Sequence, residues 1–379
     1  MRWSVRDTLV EVCRHNMLST TKFLTRVSSF TYRQFATATV VKFNGTGRPE
    51  EVYKVEKENV ADNVSANEVL VEMIHAPIHP VDINLAEGTY GVKAKTNSVA
   101  GSEGVGIVKK VGTSVQGLKP NDYVVPILSS SVAGTWRTQG VFSEKQLYKV
   151  PADIPTEYLS AVTINPCTAY RLLEDFAKLK AGDVVIQNGA SSMVGLSVIQ
   201  MCKARGIKTI NIIRRSSDYD ETVDRLKKLG GDIVVSEEYV RTPEYARLVA
   251  DLPRPRLALN AVGGDSATEL ARNVADGGAL VTYGGMSRRP VTVPTAHLIF
   301  RNVSVHGFWL TRWVEQHSQA EISAMYEHIF GLIRDKKLKL WLEKHKFSDF
   351  NNALLRSQEP GKGRKIILDL QFRKTEKRN

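Results

Sequence analysis

The sequence predicts an α/β fold with two parts: a doubly wound parallel sheet of six strands and a separate, irregular β-rich domain. From about residue 38 to residue 150, short β-rich runs are interrupted by Gly, Pro, Asn and Asp. After about residue 161, short apolar runs alternate with segments of helix length. Such alternation is typical of strands that are buried on both faces of a parallel sheet.

The β-rich domain is predicted over residues 36–160. Its clearest strands are Val69–Ile74, Gly104–Val108 and Tyr123–Pro126. Turn-forming residues bound each run, so we expect an irregular barrel or sandwich.

The doubly wound domain is predicted over residues 161–310. The helix after its first strand carries Val194, Val198 and Met201 on one face, at spacings of four and three. A complete dinucleotide-binding fold of the Rossmann type has six such strands. They are Val184–Ile186, Thr209–Ile213, Ile233–Val235, Leu257–Asn260, Ala279–Tyr283 and Val303–Gly307.

The C-terminal segment, residues 311–379, is predicted to return to the β-rich domain. It reads as helical from Glu321 to Asp335 and contains a last apolar strand, Lys365–Leu368. The charged end, Arg373–Asn379, is expected to fray.

The N-terminus has the composition of a mitochondrial transit peptide. Residues 1–43 contain seven Lys/Arg and two acids, and no acid occurs from Met17 through Gly47. Arg33–Ala36 resembles a matrix-processing site. We therefore predict that residues 1–35 are a transit peptide with an upstream extension, that residues 17–35 direct import, and that the protein resides in the matrix. Whether translation starts at Met1 or Met17 stays open.

Two classes of protein are disfavoured by composition. The chain has no apolar run of the roughly 18 residues that a membrane span requires. Its three cysteines, Cys13, Cys167 and Cys202, include no C-x-x-C pair. Because the first domain also lacks a suitable histidine in its Gly-Ser-Glu-Gly motif at 101–104, three protein ligands for a catalytic zinc are not available and no metal is expected.

A phosphate-binding turn is predicted between the first strand and the first helix of the doubly wound domain. Gly189 suits a tight turn, and Gly195 permits close packing of the helix on the sheet. Ser191 and Ser192 are suited to cap the helix and to donate to a phosphate. The motif departs from G-x-G-x-x-G, because Ser191 and Met193 stand where glycine is common.

The second strand indicates which dinucleotide is bound. It is followed by Arg214, Arg215 and Ser216, where an NAD-binding fold carries an acid for the ribose hydroxyls. Two guanidinium groups and a hydroxyl favour a 2′-phosphate, so we predict NADPH as the cofactor.

Eight short motifs are distributed along both predicted domains: Pro80–Asn84, Gly88–Tyr90, Gly101–Gly104, Gly134–Trp136, Asn165–Tyr170, Ala258–Gly264, Tyr283–Ser287 and Gly307–Trp309. Together they resemble one family, the mitochondrial trans-2-enoyl-CoA/enoyl-acyl-carrier-protein reductases of the zinc-free medium-chain dehydrogenase/reductase superfamily. The resemblance extends from about residue 38 to about residue 370 and implies a GroES-like catalytic domain, NADPH and a homodimer.

The resemblance also implies roles for individual residues. Tyr90 matches the proton donor, and Asp82 and Asn84 are expected to orient its loop. The family's late lysine aligns with Arg364, although Lys365 is adjacent. The residues that match cofactor or pocket contacts are Asn165, Ser191, Ser192, Met193, Val194, Arg214, Arg215, Ser216, Tyr283, Gly284, Gly285, Met286, Phe308, Trp309, Leu310 and Arg364. At the 2′-phosphate site the family commonly has Arg-Asp-Arg, where this chain has Arg-Arg-Ser.

The implied reaction is NADPH-dependent reduction of the trans-2 double bond of enoyl thioesters in mitochondrial fatty acid synthesis. Hydride would reach the β-carbon, and Tyr90 would supply a proton. The alternative is a quinone reductase of the same superfamily. The acyl-chain length and the choice between CoA and a carrier protein stay open.

A lysine-rich stretch, Lys336–Lys346, raises the question of macromolecular partners. Its favoured interpretation is a solvated helix or loop face, followed by docking of an acidic acyl carrier protein. A nucleic-acid-binding protein on the same fold is the remote alternative, and we predict no nucleic-acid partner and no membrane association.

Overall fold

The computed structural model describes residues 35–131, 133–361 and 363–371. The predicted presequence before residue 35 and the predicted frayed end after residue 371 lie outside the described residues.

The first domain is built mainly from antiparallel strands. Its elements are β1 (Phe35–Phe43), α1 (Pro49–Val52), β2 (Tyr53–Ala61), β3 (Glu68–Pro77), α2 (Pro80–Ala86), β4 (Val105–Val111), β5 (Tyr123–Pro126), β6 (Gln139–Ser143) and β7 (Leu147–Val150). Strands β1 and β2 form a hairpin, and β3 pairs with both β4 and β6. The pairing of β3 with β4 shifts register twice, which makes the sheet irregular as predicted.

The second domain alternates strands and helices. After α3 (Thr156–Leu159) and α4 (Asn165–Asp175), its elements are β8 (Val184–Gln187), α5 (Met193–Ala204), β9 (Lys208–Ile213), α6 (Tyr219–Leu229), β10 (Ile233–Ser236), α7 (Pro243–Leu248), β11 (Leu257–Asn260), α8 (Gly264–Asn273), β12 (Ala279–Thr282), α9 (Thr295–Arg301) and β13 (Ser304–Gly307).

The six strands of this domain form one parallel sheet in the order β10-β9-β8-β11-β12-β13. The predicted doubly wound α/β class is confirmed. The order reverses between β8 and β11, and ligands of such sheets bind in the crevice at that switch point.

The chain then continues through α10 (Leu310–Gln316), α11 (Gln319–Arg334), β14 (Leu342–Lys346), α12 (Phe350–Gln358) and β15 (Lys365–Asp369). Strand β15 pairs antiparallel with β3 of the first domain, and β14 pairs parallel with β15. The prediction of a helix or loop face over Lys336–Lys346 is wrong for residues 342–346. These residues form strand β14, in which three of the five residues are Lys or His. The strand tolerates these charges because it lies at the edge of the sheet.

The core follows the predicted apolar pattern. Val194, Val198 and Met201 of α5 are buried in one cluster with Cys167 and Cys202. Burial raises the pKa of the Cys202 thiol to about 12. Within the described ranges, no helix is both long and apolar enough to cross a membrane.

Candidate active site

The turn between β8 and α5 is tight enough to require its glycines. Gly189 has a φ of +59°, in the left-handed region. A Cβ on Gly195 would lie 2.5 Å from the carbonyl oxygen of Ala190. Ser192 caps the helix, since its hydroxyl accepts the N–H of Gly195 at 3.2 Å. The first turn of α5 therefore presents backbone N–H groups at the switch point of the sheet.

Two of the predicted contact residues in this turn face away from it. The side chains of Met193 and Val194 are buried in the core. Any contact with a phosphate would therefore go through their backbone N–H groups, whereas Ser191 and Ser192 keep partly exposed side chains.

A buried amide network holds this turn against the neighbouring strand end, and sequence reasoning missed it. Asn188 Nδ2 donates to Asn260 Oδ1 at 2.8 Å, and Asn188 Oδ1 accepts the N–H of Ala261 at 2.7 Å. Asn260 Oδ1 also accepts the N–H of Gly263 at 2.9 Å. The available signal was a carboxamide side chain at or just after the end of each of two apolar strands, β8 and β11, because buried amides need partners.

The segment after β9 is exposed, as a phosphate-binding segment requires. Arg214, Arg215 and Ser216 all lie on the surface. Ser216 Oγ donates to Asp218 Oδ1 at 2.6 Å, and the Arg215 guanidinium lies 5.6 Å from the centre of the Tyr219 ring. The hydroxyl of Ser216 is thus already engaged, and the two guanidinium groups are the stronger candidates for an anion.

Arg364 and Lys365 lie in different environments. Arg364 is exposed and lines a cavity of ≈ 280 Å³ together with Asp218 and Arg225. Lys365 is buried, and its Nζ lies 2.8 Å from His79 Nδ1. Arg364 therefore lies near the segment after β9, because Asp218 of that segment lines the same cavity. Lys365 faces the interior of the first domain instead.

Tyr90 meets the second domain through one hydrogen bond. Its hydroxyl accepts Nε1–H of Trp309 at 2.9 Å, and the two ring centres are 6.5 Å apart. Trp309 follows β13 at the C-terminal edge of the parallel sheet. The Tyr90 loop is held by the carbonyl oxygen of Asn84, which accepts the Tyr90 N–H at 3.2 Å. Burial raises the pKa of the Tyr90 phenol, which keeps it protonated at neutral pH.

The loop after β12 lies against the end of β11. The N–H of Met286 donates to the carbonyl oxygen of Ala261 at 3.1 Å. A Cβ on Gly284 would lie 2.9 Å from the same oxygen, so that position favours glycine. Gly285 and Met286 are exposed and Tyr283 is half-buried. These four residues, 283–286, thus stand beside the amide network of Asn188.

The remaining predicted contacts differ in accessibility. Phe308 packs on Phe176 with ring centres 5.9 Å apart, and Leu310 is buried as the first residue of α10. Leu310 is therefore placed to support the site through packing. Asn165, the first residue of α4, has a buried Oδ1 with no hydrogen-bond partner among the described residues. Such an atom is a place for an external N–H donor.

Comparison with known proteins identifies both domains. Residues 65–152 match the alcohol dehydrogenase GroES-like domain, and residues 194–329 match the zinc-binding dehydrogenase family. The described residues contain no group of three or more His, Cys, Asp or Glu side chains that could hold a metal ion. The side chains present there therefore do not fit the zinc that the second description implies.

Closer relatives share a more specific description. The mitochondrial enoyl-[acyl-carrier-protein] reductase of Dictyostelium discoideum is 61% identical over 340 residues, which are 90% of this chain and 97% of that protein. The solved Etr1p/NADP/crotonyl-CoA complex is 30% identical with a TM-score of 0.80, covering 88% of this chain and 100% of that one. The mitochondrial 2-enoyl thioester reductase Etr1p/Etr2p heterodimer from Candida tropicalis is likewise 30% identical, with a TM-score of 0.80, and the match covers 88% of this chain and 100% of that one. The chain therefore belongs to the family of mitochondrial enoyl-[acyl-carrier-protein] reductases.

Proposed function

We propose that this protein reduces the trans-2 double bond of enoyl thioesters with NADPH in mitochondrial fatty acid synthesis. One observation carries the proposal: the Trp309–Tyr90 hydrogen bond brings a protonated phenol from the first domain to the C-terminal edge of the dinucleotide-binding sheet. The similarity to the Etr1p/NADP/crotonyl-CoA complex supports the same combination of cofactor and substrate.

The residues of the second domain fit NADPH. The N-terminus of α5 would hold the pyrophosphate through backbone N–H groups and Ser191 and Ser192. Arg214 and Arg215 would hold the 2′-phosphate, with Arg364 nearby. The unpartnered Oδ1 of Asn165 would be available to accept a hydrogen bond from the cofactor. When bound, NADPH supplies the hydride that adds to the β-carbon of the thioester. The full proposed contact set is Asn165, Ser191 to Val194, Arg214 to Ser216, Tyr283 to Met286, Phe308, Trp309 and Arg364, with Leu310 supporting the site through packing.

Tyr90 is proposed as the proton donor. Because an indole N–H only donates, the Tyr90 oxygen must be the acceptor of the Trp309 bond. The phenolic proton is then left to point away from Trp309. It can be delivered to the carbon or oxygen of the substrate on which negative charge develops after the hydride adds.

The first test separates this function from a quinone reductase. The purified protein is assayed with crotonyl-CoA and with a naphthoquinone, each with NADPH and with NADH. We expect turnover of crotonyl-CoA with NADPH. Turnover of the quinone alone would overturn the proposal.

In the same assay, Tyr90→Phe should lower kcat by roughly a hundredfold to ten-thousandfold, because a general acid is lost, while NADPH binding stays nearly unchanged.

An acyl carrier protein is the proposed macromolecular partner. Residues 1–35 contain six Lys/Arg and two acids, so the rest of the chain keeps a net charge of +8. The exposed lysines of 336–346 are part of this excess. Two of these lysines already form ion pairs within the protein, Lys337 with Asp335 and Lys344 with Glu157. The lysines of this segment are exposed while Leu338 and Leu340 are buried, and a carrier protein would supply further acids.

A homodimer is proposed through the edge of the parallel sheet. Strand β13 is the last strand of that sheet, and all four of its residues are exposed. Beside it, Ile299 and Phe300 of α9 expose 65% and 81% of their surface. Edge strands and exposed apolar groups of this kind are normally covered. A second copy pairing along β13 would cover both, and the heterodimer of the Candida tropicalis relatives supports such assembly.

A further inference from the structure

A buried polar cluster lies beneath the Tyr90 loop and is not part of the proposed contact set. Its centre is Glu103, which is 2% exposed, and it includes His79 at 2% and Lys365 at 7%. One oxygen of Glu103 accepts the hydroxyl of Thr163 at 2.7 Å and the backbone N–H of Ile164 at 2.8 Å. The other oxygen lies 2.7 Å from His79 Nε2. A buried carboxylate with three donors is fully satisfied.

The neighbours of His79 fix its tautomer. Nδ1 of His79 lies 2.8 Å from Nζ of Lys365. An ammonium group only donates, so Nδ1 must be the acceptor and Nε2 must carry the proton that goes to Glu103. Burial and the Lys365 ammonium hold the pKa of His79 below its ordinary value, which agrees with a neutral imidazole.

The cluster joins the segment that carries Tyr90 to the rest of the protein. His79 immediately precedes α2, and its N–H donates to Asp82 Oδ2 at 2.7 Å. Asp82 Oδ1 accepts the hydroxyl of Ser102, the residue before Glu103, at 2.6 Å. Helix α2 contains Asn84, whose carbonyl oxygen accepts the Tyr90 N–H. On the other side, Glu103 is bound to Thr163 and Ile164, where the chain enters α4.

We propose that Glu103 is a positioning residue for the proton donor: acting through His79, it fixes helix α2 and thereby the place of Tyr90 relative to the second domain. The inference rests on the proposed role of Tyr90. It adds a residue that touches neither substrate nor cofactor, and it explains why a carboxylate, rather than an apolar group of the same size, occupies this buried position.

The variant Glu103→Gln tests the charge without changing the size. A glutamine can keep its oxygen toward Thr163 and Ile164, but its NH₂ group then faces the N–H of His79. The imidazole cannot relieve this by moving its proton to Nδ1, because Nδ1 would then face the Lys365 ammonium. The substitution therefore sets two donors against each other and should displace His79 and α2.

The experiment measures kcat with saturating NADPH and crotonyl-CoA for Glu103→Gln, both in the wild-type protein and together with Tyr90→Phe. Misplacement of a catalytic group by about 1 Å lowers the rate by up to roughly a hundredfold, so we expect a loss of about tenfold or more in the wild-type background. In the Tyr90→Phe background the loss should be within about twofold, because effects that act through one residue are not additive. KM for crotonyl-CoA should stay nearly constant.

Two further variants make the test decisive. Asp183→Asn alters another buried carboxylate, whose Oδ2 accepts the N–H of Lys180 at 2.8 Å in the second domain, and should leave kcat unchanged. Thr163→Val removes one hydrogen bond to Glu103 and serves if Glu103→Gln does not fold. Its smaller loss of kcat should likewise disappear in the Tyr90→Phe background.

An equal loss in both backgrounds would show that Glu103 acts on folding or on another step, and would overturn the inference. Wild-type activity of Glu103→Gln would do the same. These outcomes are distinct from failure of the proposed function, in which the wild-type protein itself would not reduce crotonyl-CoA.

Discussion

At the scale of single residues, which atom donates a hydrogen bond matters as much as the distance between the two atoms. The Trp309–Tyr90 bond could not be predicted from either residue, because the two are 219 positions apart. The identity of the donor follows from chemistry alone, since an indole N–H has no acceptor role. The same reasoning fixes the tautomer of His79 between Glu103 and Lys365. Single-residue chemistry thus assigns protons once the fold has brought the groups together.

The arginine pair after β9 gives a residue-scale prediction. Replacing Arg214 and Arg215 with Ala should weaken NADPH binding far more than NADH binding, because hydrogen bonds to charged groups contribute roughly 1.5–3 kcal/mol each. Dissociation constants for both cofactors, measured by fluorescence titration, provide the check. The matched control is the double variant Arg241→Ala and Arg247→Ala, which removes two exposed arginines elsewhere in the domain. Equal weakening of both cofactors would contradict the 2′-phosphate assignment.

At the scale of elements, the strand-to-helix turn shows how closely backbone packing limits the sequence. Gly195 lies in the first turn of α5, against the backbone of Ala190, and the N–H of Gly195 is the one that Ser192 caps. The turn is therefore specified by Gly189, Gly195 and the hydroxyl of Ser192 rather than by the full three-glycine motif. This explains why Ser191 and Met193 are accepted where glycine is common.

Gly195→Ala should destabilise the protein and weaken NADPH binding together. The new Cβ would lie 2.5 Å from the carbonyl oxygen of Ala190, and overpacking of this kind costs about 1–3 kcal/mol. Thermal unfolding with and without NADPH measures both effects, as a lower Tm and a smaller increase in Tm on binding. Gly331→Ala in α11 is the control, because its Cβ would meet nothing within 4 Å. An unchanged response to NADPH would contradict the role of this turn.

At the scale of the whole molecule, two surfaces remain for partners. The apolar surface beside β13 gives the first prediction. Phe300→Glu should shift the protein from dimer to monomer, because it places a charge in a surface that a second copy would bury. Light scattering after size exclusion measures the mass. Leu355→Glu, an exposed leucine of α12 outside this surface, is the control. A monomeric wild-type protein, or a dimeric variant, would contradict the proposed interface.

The lysine-rich face gives the second prediction at this scale. Changing Lys336, Lys337 and Lys339 to Glu should lower kcat/KM for a carrier-protein thioester more than for crotonyl-CoA. Steering by charge is screened over roughly 10 Å at 0.1 M salt, so the defect should shrink as salt rises.

Charge reversal of Lys54, Lys109 and Lys145, three exposed lysines of the first domain, is the matched control for that prediction. If the two triple variants behave alike with the carrier-protein substrate across the salt series, this face is not the docking site.

Sequence reasoning alone was enough for the α/β class, the six strands of the second domain along the chain, the glycine turn and the family, because these depend on local periodicity and on contiguous motifs. The helices α10 and α12 and the strand β14 were not predicted. Strand β14 is held by pairing with β15, and its charged residues give no apolar pattern of their own.

The contacts between side chains that are distant in sequence became visible only in the folded structure. Arg364 and Lys365 are neighbours in sequence, yet Arg364 lies in a bend before β15 and Lys365 is the first residue of that strand, which pairs with β14 and β3. One therefore lies at the surface beside Asp218, while the other is buried against His79, 286 positions away. Likewise, Glu103 could be quoted as part of a motif, but its role depends on three donors from distant segments. Contacts of this kind are set by the packing of whole domains, which no local pattern in the sequence encodes.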